Sequence, residues 1–385
     1  MTTSKRLRSN GRLAIAGLAT TISIALAACS GGGSNGKTAE PAAPPANGAF
    51  NVSGTKIYDP DGKPFLPIGA NFNGPDWVWA TETKGMAAVA QDVWKFNTAR
   101  FDSCLPRGCD VDDRAHHSVN NDPAIVKEFT DRKMVVVLVL NQVRSGTFPD
   151  DAARAEIKAW WTQMAALYKD NPYVWFEPAA EVGESVDGND KAVIDKWYDY
   201  HAELISTIRA TGAKNPIVVN GTQWGQELND SSLKKVSESD SAILRRGTDI
   251  LKLDPNVVFD LHVYDQWGGI ADTKARDARM KDYIDRVHAK GLALMIGETG
   301  GFGADDGTKA GNEFSTVIAR GTQTAYAVAP AEGVGIIAWH AQPGDDYSLT
   351  NQGDFDQLSS KTDPKNLTWH GTLLWNLAKN PPEIS

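Results

Sequence analysis

The sequence predicts an α/β chain folded as one (β/α)8 TIM barrel, and three observations predict it. Eight short apolar runs alternate with longer amphipathic stretches. One run, Met134–Leu140, is apolar on both faces, as a parallel strand covered on both sides must be. The alternation continues without an internal linker from Phe50 to the end of the chain. The runs are, in order, Phe65–Ala70, Thr98–Asp102, Met134–Leu140, Val174–Phe176, Pro216–Asn220, Val257–Tyr264, Leu292–Gly297 and Gly335–Trp339. Helical patterns fall between them, among them Asp151–Lys169, Lys191–Ala210, Ala275–Lys290 and Lys309–Val328. Asp59-Pro60-Asp61-Gly62-Lys63-Pro64 reads as a turn between two short strands before the first run. An open doubly wound sheet is the competing topology. It would want a Gly-rich phosphate loop after its first strand, and none is present.

The N-terminus is a targeting segment to be set apart from the fold. Lys5, Arg6, Arg8 and Arg12 precede an apolar run of 16 residues, Leu13–Ala28, which ends Leu26-Ala27-Ala28-Cys29. The run is short for a membrane span. It resembles a bacterial lipoprotein signal, which implies cleavage before Cys29 and a lipid on that cysteine. An ordinary secretory peptide is the alternative, and export follows either way. Residues 29–49 are rich in Gly and Ser, then Pro, and read as a flexible tether. The expected organisation is therefore a leader at 1–28, a lipidated tether at 29–49 and a catalytic domain at 50–385, anchored to the cell envelope.

With 385 residues, 41% of them hydrophobic, the chain is neither disordered nor a polytopic membrane protein. Its formal charge of −9 argues against binding nucleic acid through phosphate neutralisation. Export to an oxidising compartment makes a local Cys104–Cys109 disulfide the expected state. A metal pair is the alternative for these cysteines, but they have no accompanying ligand set. No metal, no cofactor and a monomeric state are expected.

Polar residues cluster where a barrel of this kind carries chemistry, at the C-terminal ends of the runs. Arg100 and Asp102 close the second, Glu177 and Glu181 follow the fourth, and His262 and Tyr264 end the sixth. Glu298 ends the seventh and Trp339 the eighth. Together with Ile57–Phe65, Gly69-Ala70-Asn71 and Phe96–Arg100, this ordered set resembles family 5 glycoside hydrolases over Ile57 to about Pro381.

The resemblance implies a retaining, endo-acting glycosidase that cuts a β-1,4-linked polysaccharide, mannan or glucan. Glu181 would be its acid/base and Glu298 its nucleophile. It implies substrate contacts from Arg100, His262, Tyr264 and Trp339. Arg100 and Tyr264 would hold the charge of Glu298, and His262 would face Glu181. Glu181 would have to keep its proton near neutral pH, through burial and repulsion from the second carboxylate. The exit Val219–Gln226 looks like that of some bacterial β-mannanases.

Two positions depart from the pattern. Ala180 stands where the family has an Asn that holds the sugar 2-hydroxyl, and Asn141 stands where it usually has a His. Structural roles compete with several assignments: Arg100 pairing with Asp102, His262 and Tyr264 as satisfied core residues, and Trp339 as barrel packing. Glu177 and Glu184 read as helix-start or salt-bridge residues. Trp160, Trp161 and Trp375 fall in helical patterns and read as core. Trp77, Trp79, Trp224 and Trp267 fall in loops, where an indole suits the apolar face of a pyranose, and Trp77 and Trp224 are the chosen sugar contacts. The alternative to an enzyme is a membrane-tethered glycan-binding protein on a degenerate barrel, favoured by Ala180 and Asn141 and opposed by the two retained glutamates.

Overall fold

The computed structural model describes residues 44, 46–73, 83–104, 123–141, 147–183, 191–301, 313–341, 347–351 and 366–384, with backbone alone at Asn73, Cys104, Asn141 and Glu313. Eight strands close a parallel barrel: β3 (Ile68–Asn73), β4 (Thr98–Cys104), β5 (Val135–Asn141), β6 (Val174–Glu177), β7 (Ile217–Asn220), β8 (Val257–Val263), β9 (Ala293–Thr299) and β10 (Gly335–Ala338). β10 pairs with β3 to complete the ring. Every predicted run overlaps one of these strands, in the predicted order. The helical stretches become Asp151–Tyr168, Lys191–Arg209, Thr273–Ala289 and Glu313–Val328. Helical turns at Met86–Ala88 and Val89–Val93 and helices at Pro123–Thr130, Ala242–Leu253 and Trp369–Lys379 complete the pattern and were not singled out by periodicity. Asp150, Ser241, Asp272 and Thr368 cap their helices by accepting a backbone N–H in the first turn.

Strand alternation sorts the core into two layers. On β8, Val257, Phe259, Leu261 and Val263 face the helices, in one continuous shell with Trp161, Trp197, Tyr283 and Ile284. Val258 faces inward, joining Val135, Val137, Val139, Trp175, Val218, Ala293, Met295 and Ile337 in the barrel interior. An antiparallel hairpin, β1 (Asn51–Ser53) with β2 (Lys56–Tyr58), contributes Phe50 and Ile57 to that interior. Phe50 meets Phe65, Trp175 and Tyr173 edge-on, with ring centroids 5.0, 5.3 and 5.5 Å away. Trp175→Ala is expected to destabilise the protein by about 3–5 kcal/mol. Denaturant melts would read this as a lower midpoint at unchanged slope.

The Asp59–Pro64 turn lies where it was predicted, but only one of its two flanks is a regular strand. It follows β2 instead of joining two regular strands, and closes an isolated bridge from Tyr58 to Pro64. Asp59 Oδ1 accepts from the backbone of Asp61 and Lys63. Pro64 and Pro67 have no N–H to extend a ladder, so the chain enters β3 only at Ile68. Among the described residues no helix is long and apolar enough to cross a membrane. Cys29, Trp77, Trp79, Cys109, Glu184 and the leader at 1–28 lie outside the described residues.

Candidate active site

Inward positions that are apolar deep in the barrel become polar toward the C-terminal ends of the strands. Asn71, Arg100, Glu177, Asn220, Asp260 and His262 are all buried, and Glu298 is 7% exposed. Burying so many ionisable groups is tolerable only if they neutralise and hydrogen-bond one another.

Arg100 is the hub. Its Nε and Nη2 donate to the two oxygens of Glu177 at 2.7 and 2.6 Å, a bidentate pair. Its Nη1 donates to Asn71 Oδ1 at 2.7 Å and to Glu298 Oε1 at 2.6 Å. The guanidinium therefore does not pair with Asp102; it ties β3, β6 and β9 together. Burial opposes its charge, but Glu177 and Glu298 outweigh that and hold its proton more firmly than usual. Asn71 also donates to the carbonyls of Gly297 and Ala338, tying β3 to β9 just before Glu298 and to β10.

The second oxygen of Glu298 accepts from the Tyr264 hydroxyl at 3.1 Å. Burial raises the proton affinity of Glu298, while His262 and Arg100 pull it down and Glu181 pushes it up. His262 stands between the two glutamates. Its Nδ1 lies 2.9 Å from Glu181 Oε1 and 3.5 Å from Glu298 Oε2, and its Nε2 lies 3.2 Å from Asp260 Oδ2. Burial disfavours an imidazolium, yet Glu298, Asp260 and Glu181 together raise its pKa well above the ordinary value. Oxygens of Glu181 and Glu298 lie within 4.8 Å of each other.

Three groups that sequence reasoning missed hold this arrangement. Asp260 accepts from Asn220 Nδ2 at 2.9 Å and from the Gly297 N–H at 2.5 Å, besides facing His262. Burial would raise its pKa, but His262 and the hydrogen bonds lower it. Asn220 Oδ1 accepts the backbone N–H of Glu181 at 2.8 Å, where Glu181 takes a left-handed φ of 53°. A non-glycine residue in that region is held there by its surroundings. Gln226 accepts the N–H of Tyr264 and of Gln266 through its side-chain oxygen and takes the Trp267 indole N–H on its carbonyl. These residues carry ordinary polar identities, and the signal of Asn220 and Asp260 lies only in their place on the C-terminal part of a strand, while Gln226 sits in the loop after β7.

Glu298 is aimed by a bulge. Ala293 and Met295 face inward, so simple alternation would next turn Gly297 inward and Glu298 outward. The β8–β9 register slips here: Leu261 pairs with Ile296, but His262 pairs with Glu298. Gly297 is the extra residue, and the slip returns Glu298 to the interior. A Cβ on Gly297 would stand 2.4 Å from both carboxylate oxygens of Asp260. Gly297→Ala is expected to displace Asp260, loosen His262 and remove most activity, which a crystal structure and steady-state kinetics of the variant would show.

Trp339 ends β10 half-buried, at a cis peptide to His340. Trp224 is 36% exposed in the loop after β7, where Gln223, Trp224 and Gly225 all have positive φ and the Gly225 carbonyl accepts the N–H of His262. Trp267, expected in a sugar-facing loop, is instead fully buried against Tyr283. Trp160 and Trp161 are core, as expected, and Glu177 is the salt-bridge residue it was read to be. Asn141 ends β5 opposite Cys104. Ala180 packs in the barrel interior just before Glu181 and offers no polar group. Two triads, Glu181–His262–Glu298 and Glu177–Asp260–His262, have the spacing to hold a metal ion. Their donors are already committed: Arg100 occupies Glu177 and Glu298, and His262 is driven toward the protonated form, which ligates nothing.

The chain is similar to known carbohydrate-active proteins. It is 27% identical over 253 residues to a mannan endo-1,4-beta-mannosidase of Salipaludibacillus agaradhaerens, covering 65% of this chain and 71% of that one. It is 22% identical over 254 residues to endoglucanase N of Pectobacterium atrosepticum, spanning 66% of this chain and half of the relative's length. The catalytic domain of a mannanase from Streptomyces sp. SirexAA-E shares the fold, with a TM-score of 0.64 and 18% identity over 91% of this chain and 96% of that one. The family described as cellulase (glycosyl hydrolase family 5) matches residues 58–345, three quarters of the chain, so the protein belongs to glycosyl hydrolase family 5.

Proposed function

We propose that the protein is a retaining, endo-acting glycoside hydrolase of β-1,4-linked mannan or glucan, with Glu298 as nucleophile and Glu181 as acid/base. The observation that carries this reading is the approach of the two carboxylates to within 4.8 Å. Retaining enzymes hold theirs about 5–5.5 Å apart, whereas inverting ones leave about 6.5 Å or more for a water.

In the first step an oxygen of Glu298 attacks the anomeric carbon as the glycosidic C–O bond breaks, and Glu181 gives its proton to the leaving oxygen. In the second, Glu181 takes a proton from water, the water oxygen attacks the same carbon, and the Glu298 carboxylate leaves. Arg100 and Tyr264 hold one oxygen of Glu298 each, so the carboxylate stays oriented as its charge changes. His262, bonded to Glu181 and backed by Asp260, can share the proton that Glu181 moves. Trp339, Trp224, Trp77 and Asn141 are the proposed sugar contacts, the indoles by stacking on apolar ring faces.

The test is a product profile on β-mannan, carboxymethylcellulose and defined oligosaccharides. Internal cuts that yield oligosaccharides support the reading. Binding without any product from either glycan would favour a glycan-binding role and refute it. The same reading includes export as a monomer, a lipid on Cys29, the tether at 29–49 and a Cys104–Cys109 disulfide. Replacing Cys29 by Ser is then expected to move the protein from the membrane fraction to the soluble one.

A further inference from the structure

One carboxyl group in the bowl has no work in the network described above. Asp102 stands two residues beyond Arg100 on β4, on the same inward face, so it lies roughly 6–7 Å nearer the mouth. In register it sits between Asn73 on β3 and Val139 on β5. It is 3% exposed, and its Oδ1 has no hydrogen-bond partner. Arg100 spends its bonds on Glu177, Asn71 and Glu298 and makes none to Asp102. An unpartnered buried acid destabilises a fold, and a Leu or Val here would pack against Val139 without that cost. Two strands along the ring, just after β6, the residue before Glu181 is Ala180, which presents a methyl group to a sugar that needs hydrogen bonds.

We infer that Asp102 is a sugar-recognition residue of this chain, whose carboxyl group takes a hydroxyl of the unit held over Glu298 and so supplies from β4 a polar contact that Ala180 cannot. The inference rests on the hydrolase reading above and deepens it, since it assigns glycone selection to a position on the second barrel strand. The protonation state suits the task. Burial raises the Asp102 pKa to about 8, with Glu298, Glu177 and Glu181 pushing the same way and Arg100 opposing. At neutral pH the group is therefore mostly a carboxylic acid. It can donate and accept at once, as a sugar hydroxyl can.

The sign of the stability effect separates this role from a structural one. A carboxyl group raised from 3.8 to about 8 on folding costs nothing while protonated in both states, and its cost grows as pH climbs toward 8. Full-length wild type, Asp102→Asn and Asp102→Leu should be compared for kcat and KM on mannotetraose and cellotetraose. Their melting temperatures should be taken at pH 4 and pH 8. Binding of both tetrasaccharides should be measured by calorimetry in a Glu298→Gln background.

The inference expects kcat/KM to fall at least tenfold and the mannose-to-glucose preference to move at least fivefold. It expects binding in the Glu298→Gln background to weaken at least fivefold. It expects the melting temperature of each variant, measured relative to wild type, to be about 3 °C or more higher at pH 8 than at pH 4. Kinetics within twofold of wild type would overturn it, as would an Asp102→Asn protein that melts lower than wild type at pH 8. If wild type cleaves neither sugar, the hydrolase reading fails. Calorimetry then decides Asp102 alone, with unchanged or undetectable binding counting against it.

Discussion

Glu298→Gln is expected to lower kcat by about 10^5-fold, because the variant keeps the shape of the site and loses the atom that forms the glycosyl intermediate. Glu181→Gln should behave differently. It is expected to lose about 10^2- to 10^4-fold on natural glycans, yet to keep most of its first-step rate on an aryl glycoside whose phenolate leaves without a proton. Pre-steady-state release of the phenol would separate the two: a burst followed by slow turnover for Glu181→Gln, and no burst for Glu298→Gln. The difference follows from position. Glu298 is fixed by Arg100 and Tyr264, whereas Glu181 is tied through its N–H to Asn220 and through its carboxylate to His262. Neither substitution should cost much stability, because the glutamine oxygen can still accept from Arg100 or His262 and, at position 298, the amide N–H can donate to the Tyr264 hydroxyl oxygen.

Arg100→Leu is expected to do the opposite and damage the fold as well as the reaction. Removing the guanidinium strands Glu177, which is fully buried, and frees Glu298 on one side. Breaking a buried pair from one side costs about 3–5 kcal/mol. The pH dependence has a definite sign. Burial raises the pKa of Glu177, to about 7, and of Glu298 even beside Arg100, and without the guanidinium both rise further, so the variant holds these protons in the folded state to a higher pH than wild type does. The variant's deficit should therefore widen as pH rises through and above neutrality and be smallest near pH 4. Urea melts at several pH values would show this. Adding Glu177→Leu to Arg100→Leu should recover much of the stability and none of the activity, since Glu298 would still lack its partner.

How far the sequence disclosed this site can be judged residue by residue. The eight strands were legible because a strand buried on both faces is a run of Val, Ile and Leu that little else explains. Glu181, Glu298, His262, Tyr264 and Arg100 were legible because polar residues at the ends of such runs need a reason. The supporting layer was not. Asn220 and Asp260 sit on the C-terminal parts of strands too, but only the closed barrel brings Asn220 Nδ2 to Asp260 and Asp260 to Gly297 across three strands. The bulge at Gly297 was invisible because nothing in Met295-Ile296-Gly297-Glu298 states which residue is extra. Trp267 misled for a related reason. A Trp beside two glycines reads as an exposed loop, yet Gly268 and Gly269 are there for close approach: a Cβ on Gly268 would fall 1.6 Å from the Val317 carbonyl. The short helix Asp265–Gly268 therefore packs tightly and carries the indole inward.

The central claim is that one sugar is displaced twice at one carbon, first by Glu298 and then by a water that Glu181 activates. The stereochemistry of the fresh reducing end reports this directly. Proton NMR of cellopentaose or mannopentaose, followed from the first seconds of cleavage by wild-type protein, should show the β-anomer appearing first and the α-anomer growing in only as mutarotation proceeds. Appearance of the α-anomer first would mean a single displacement, and would contradict the account.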